Sequence, residues 1–127
     1  MTVQAYIVER ADAAGLLHVA TRLLTDAALG HEPRVLLRMA ATIWLLAPAV
    51  WPPLDAVSEA WLQAQEYPDL AAFWADTLRI SAATLHVCTS SCDLFAAGAA
   101  TTHARADSLV GFLADAAAAG AAVHWIV

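Results

Sequence analysis

The chain has 127 residues, 61% of them hydrophobic, and carries twelve acidic against six basic residues for a net charge of −6. A chain of this length makes one ordinary domain and buries roughly two-thirds of the surface it would expose unfolded, so its core needs neither a metal nor a disulfide. Every basic residue is arginine and none falls in a basic run, which excludes the electrostatic footprint of a nucleic-acid-binding surface.

In chain order, Val3–Val8 (VQAYIV) is rich in β-branched and aromatic residues and reads as a buried strand. Asp12 is placed to cap a helix in which Leu16, Val19, Ala20, Leu23 and Ala27 recur at helical spacing, and Gly30 stops it. The run RVLLR at 34–38 reads as a second strand, completing a β-α-β unit whose parallel strands need a right-handed crossover. Residues 40–47 read as a short helix, and 48–53 as a rigid loop carrying Trp51. Two helices follow: Leu54, Val57 and Trp61 share one face of the first, and Leu70, Phe73, Trp74 and Leu78 share a face of the second, begun by Pro68-Asp69. Thr84–Cys88 (TLHVC) reads as a strand, 92–98 as the start of a helix, 108–119 as a helix, and 123–127 (VHWIV) as a closing strand. Alternation of strand and helix patterns without a repeat or linker predicts one domain over 1–127. Its expected form is a three-layer α/β/α fold with a mostly parallel sheet of about five strands.

The longest uncharged segment, 39–54 (MAATIWLLAPAVWPPL), is shorter than the ~20 residues of a spanning helix and is broken by Pro48, Pro52 and Pro53. It suits core, pocket wall or subunit contact, and no membrane partner is expected. The N-terminal MTVQAYIVERAD has no charged n-region followed by an apolar stretch, so a cytoplasmic protein is expected. In that reducing compartment a permanent disulfide is disfavoured, leaving reactive, metal-binding or simply buried cysteines.

Both cysteines lie in LHVCTSSCDLF. Ligands of open parallel sheets sit beyond the carboxyl ends of the strands, which is where Cys88 falls. The small residues Thr89, Ser90 and Ser91 lead into a helix whose first residues include Cys92 and Asp93, so a thiolate at Cys88 or Cys92 is stabilised by helix N–H groups and by the hydroxyls. This suits a nucleophile toward sulfur. Inert packing is the plain alternative, since free cysteine is among the most buried residue types. Metal is another, with His86, Cys88 and Cys92 as three soft ligands, although a closed zinc site wants four. His103 and Arg105, in the loop THARAD, are placed to return to the same crevice and bind an anionic donor, although an ordinary solvated loop is the plainer reading. His18, His31 and His124 read as satisfied or exposed histidines. Trp44, Trp51, Trp61 and Trp74 read mostly as core, some at a subunit interface. The turn after the first strand, Glu9-Arg10-Ala11-Asp12, is no phosphate-binding glycine loop, and no GxSxG elbow occurs.

The order of elements and the segment VCTSSCDLF resemble the DsrE-like sulfur-relay family over most of the chain: the helix ending LLTDAALGHE, the strand RVLLR, the cysteine segment LHVCTSSCDLFAAG, and the final SLVGFLADAAAAGAAVHWIV. Cys88 matches the family's sulfur-accepting cysteine. Cys92 stands where a methionine or other apolar residue is usual. The resemblance implies a three-layer α/β protein, a homotrimer or hexamer, that carries sulfur as a cysteine persulfide between donor and acceptor proteins. No cofactor is required for that role. A non-catalytic oligomeric binding module with both cysteines buried and a surface around Trp51, and a thiolate metal protein, are the alternative expectations.

Overall fold

The computed structural model describes residues 2–95 and 104–127. Five strands, β1 (Val3–Val8), β2 (Glu32–Leu37), β3 (Thr84–Cys88), β4 (Arg105–Asp107) and β5 (Ala122–Ile126), form one sheet in the order β4-β3-β2-β1-β5. Every pairing is parallel. The helices are α1 (Ala13–Leu29), α2 (Ala56–Ala64), α3 (Leu70–Ser81), the seven-residue α4 (Thr89–Phe95) and α5 (Leu109–Ala118), with two 3-10 turns at Met39–Leu45 and Pro48–Val50. The expected α/β fold is the observed one.

Local chemistry sets the boundaries. Asp12 accepts from the Gly15 N–H at 3.2 Å and opens α1, and Gly30, at φ 73°, closes it in the left-handed conformation that glycine adopts without steric cost. β2 begins two residues before the expected strand and includes Pro33. The missing N–H is harmless there, because pairing with β3 begins only at Arg34. The short helix expected over 40–47 is a 3-10 helix at Met39–Leu45. Two further expectations are corrected. The cysteine helix starts at Thr89, directly after β3, so the residues TSS are its first turn and not a loop. Arg105 sits on β4 and not in a loop, paired with His86.

The two faces of the sheet differ. Tyr6, Val8, Val35, Leu37, Leu85 and Ile126 point to one side and pack with Leu16, Val19 and Leu23 of α1, Leu62 of α2, and Phe73 and Trp74 of α3. Ala5, Ile7, Leu36 and Cys88 point to the other, where Phe112 and Ala116 of α5 cover them. On α2 the expected apolar face is reversed: Val57 is 81% exposed and Trp61 41%, while Ser58 and Leu62 turn inward. Trp44 and Trp74 are core, and Trp51 packs edge-on against Trp44 with centroids 4.9 Å apart.

Candidate functional site around Cys88

Cys88 ends β3, and three chain segments close over it, each leaving the carboxyl end of a strand. These are Arg38-Met39 after β2, Ser90-Ser91 in the first turn of α4, and Ser108-Leu109 at the start of α5. They enclose a pocket of about 220 Å³ rimmed by the exposed side chains of Leu94 and Val110. Cys88 itself is 5% exposed. The pocket therefore stands where ligands of parallel sheets collect.

The pocket is pinned by polar contacts. Ser91, almost wholly buried, accepts the Met39 N–H on Oγ at 2.8 Å, tying the segment after β2 to α4. Met39 holds φ 52°, a left-handed conformation that is costly for a residue with a side chain and needs such an anchor. Arg38 is held by Glu9 at 2.6 Å. Burial pushes the Cys88 thiol up, but the polar surroundings of the sulfur, Ser91 first and then the Arg38 guanidinium and the Ser90 N–H, outweigh it and leave the pKa below its ordinary value. Such a thiol yields more thiolate near neutral pH than a free cysteine.

Cys92 has different surroundings. It packs with Val87, which points to the opposite sheet face from Cys88, and with Leu45 and Leu46. Burial, then Asp93 and the charge of Cys88, push its thiol up. Both cysteines are free. Among the described residues, no three His, Cys, Asp or Glu side chains are grouped to hold a metal ion.

The remaining expected site residues divide. Ser90 and Ser91 line the Cys88 pocket, whereas Thr89 is exposed and does not. His86 shares the sheet face of Cys88 and lies 3.3 Å from Asp107 through Nδ1, but it lines a neighbouring cavity together with Arg105. Burial holds its pKa low, against the pull of Asp107. His103 lies outside the described residues. Glu9, Arg38, Met39 and Ser108 went unrecognised in the sequence. The signal was available, since each follows a strand as Cys88 ends one, and the carboxyl-end rule applies to them equally.

No described helix is long and apolar enough to cross a membrane. The chain matches no protein-family model and no curated protein sequence. Among solved structures, it is similar to the crystal structure of the ychN protein from E. coli, with a TM-score of 0.59 and 14% identity over 98% of this chain and 99% of that one. Likeness at that identity is likeness of fold: the chain has the DsrE/DsrF-like α/β fold seen in YchN.

Proposed function

We propose that the protein is a sulfur carrier that holds sulfane sulfur as a persulfide on Cys88. The observation that carries this reading is the placement of Cys88 in a pocket at the carboxyl ends of the strands, with Ser90, Ser91 and Arg38 in its wall and the thiol's pKa lowered by them. The Cys88 thiolate attacks the outer sulfur of a donor persulfide, forming a new S–S bond as the donor's S–S bond breaks and its thiolate leaves. An acceptor thiolate then attacks the same outer sulfur, and the Cys88 thiolate departs. The exchange is redox-neutral and asks for no cofactor. The donors that favour the Cys88 thiolate also stabilise it as the leaving group.

Cys92 takes no step in this reading, because its thiol is pushed up and it packs against Val87 on the far side of β3. A persulfide on Cys88 therefore has the same lifetime in the wild type and in Cys92→Ser. A shorter lifetime in the wild type, with sulfide released and a disulfide formed, would make Cys92 a resolving thiol. The partners of this reading are donor and acceptor proteins in the cytoplasm. Leu94 and Val110, 69% and 77% exposed at the pocket rim, supply an apolar contact surface for them. The exposed Val123 and Trp125 of β5 suit association into a homo-oligomer, which light scattering on the purified protein measures.

The test is intact-protein mass spectrometry after polysulfide treatment of the wild type, Cys88→Ser and Cys92→Ser. One added sulfur in the wild type and Cys92→Ser, absent from Cys88→Ser, is the expected result. No uptake by any variant, with thiols that resist alkylation in the folded protein, overturns the carrier reading and leaves a binding module with a buried Cys88.

A further inference from the structure

The sheet face under α5 carries a second, larger concavity. A cavity of about 650 Å³ runs beside α5, with Glu32 and Arg34 of β2, His86 of β3, Arg105 of β4 and Asp115 of α5 in its wall. Arg34 is in register with Thr84, and Arg105 with His86. The two arginines thus rise from strands two apart, about 10 Å across the sheet, with the imidazole on the strand between them. Both guanidiniums act against a proton on His86, so their fields meet over that ring. With Nδ1 facing Asp107, a neutral His86 has Nε2 left for a ligand.

The opposite charge is provided as well. Glu32 holds Arg34 at 3.1 Å and orients it, while Asp115 stands on the helix wall facing the sheet across the cavity. Ala118 and Ala119 keep that wall low. A simple oxyanion fills little of such a volume, which lies within the range of ordinary small-molecule sites. With Glu32 answering part of Arg34, the arginines on the sheet side and Asp115 on the helix side still offer both signs to a ligand that carries both.

We propose that this cavity binds a small zwitterion of the amino-acid class, its carboxylate between Arg34 and Arg105 and its ammonium group against Asp115. Planar guanidinium groups suit a carboxylate because they offer paired, parallel N–H donors. The site is separate from Cys88 and stands whether or not that residue carries sulfur.

Isothermal titration calorimetry of the full chain tests it, using the common protein α-amino acids as probes and acetate, sulfate and ethylammonium as single-charge controls. At least one amino acid saturates the protein and outcompetes every control. Arg105→Gln weakens that binding by roughly tenfold or more, as expected for loss of a charge-assisted pair. Asp115→Asn weakens the amino acid but leaves acetate unchanged, and Cys88→Ser binds as the wild type does. Arg105 and Asp115 occupy exposed positions, so both variants keep the fold, which circular dichroism verifies. Acetate or sulfate binding as tightly as any amino acid overturns the zwitterion assignment, as does an Asp115→Asn variant that binds the amino acid normally. No heat from any probe overturns the site altogether.

Discussion

The two faces of one five-stranded sheet differ in what they present to the layers that cover them. Under α1, α2 and α3 the strands present a mostly apolar surface whose polar groups find partners: the Tyr6 hydroxyl donates to Asp26 at 2.6 Å, and His124 Nε2 lies 2.7 Å from Gln4 Oε1. Under α5 the same strands present Arg34, His86, Cys88, Arg105 and Asp107 beside Ile7 and Leu36. Neighbouring residues of a strand point to opposite faces, so one stretch such as Leu85-His86-Val87-Cys88 serves both. A face covered by three helices can exclude water throughout. The other face, where α5 lies among the described residues, carries two cavities in which charged and nucleophilic groups are placed.

If this division is real, substitutions on the first face cost stability and leave Cys88 untouched. Phe73→Ala should have the largest effect, because Phe73 is 2% exposed and packs on Trp61 and Tyr67 with centroids 5.2 and 5.1 Å away. A loss of about 3–5 kcal/mol is expected in urea unfolding. A loss below about 1 kcal/mol would show that this face is not the core that its burial indicates.

Tyr6→Phe comes next. Burial first, then the bond to Asp26, push the phenol up to about 12, and removing the hydroxyl leaves the buried carboxylate short of a donor. The expected cost is about 1.5–3 kcal/mol. Equal stability of variant and wild type would mean that water replaces the hydroxyl.

On the second face, Ser108→Ala removes the hydroxyl that accepts the Gly111 N–H at 2.9 Å and opens α5. About 1 kcal/mol is expected. The variant should also alkylate faster at Cys88 than the wild type, since Ser108 and Leu109 form part of the pocket wall. Unchanged alkylation would place the opening motion elsewhere.

The pH dependence distinguishes the faces more finely. Burial keeps His86 below its ordinary 6.5, so the folded state favours neutral imidazole. Its stabilising contribution is full above 6.5 and is lost as pH falls from there through the folded value. His86→Gln should therefore gain stability relative to the wild type as pH is lowered from about 7.5 to about 5. A constant difference across that range would contradict the depressed value.

The sharpest effect on reactivity belongs to Ser91→Ala, which also removes the buried acceptor of the Met39 N–H. Alkylation of Cys88 in Cys92→Ser should titrate below the ordinary thiol value of 9.0, and adding Ser91→Ala should move the midpoint upward. If the midpoint stays where it was, the hydroxyl does not contribute to the thiolate.

The expectations that failed share a cause. Thr84–Cys88 and Val3–Val8 were legible to the residue because β-branched and aromatic side chains are dense there. β4, only Arg105-Ala106-Asp107, has no apolar pattern to read and exists because β3 offers its edge. The α2 face was misread because Val57 and Trp61 are apolar yet outside, which no period can announce. Cys88 was legible from its place at a strand end, whereas Arg38, Glu9 and Met39 join it only after the ends of several strands are brought level.

The sequence by itself determined an α/β chain, its principal strands and helices, and a cysteine at a carboxyl strand end, because propensity, capping and hydrophobic spacing are local. Only the tertiary structure decided which face each strand residue serves. It set Cys92 on the far side of β3 from Cys88, and it brought Arg34, His86 and Arg105 to one face of three neighbouring strands. Register between distant segments fixes those neighbours, and register is settled by the packing of the whole sheet against its helices.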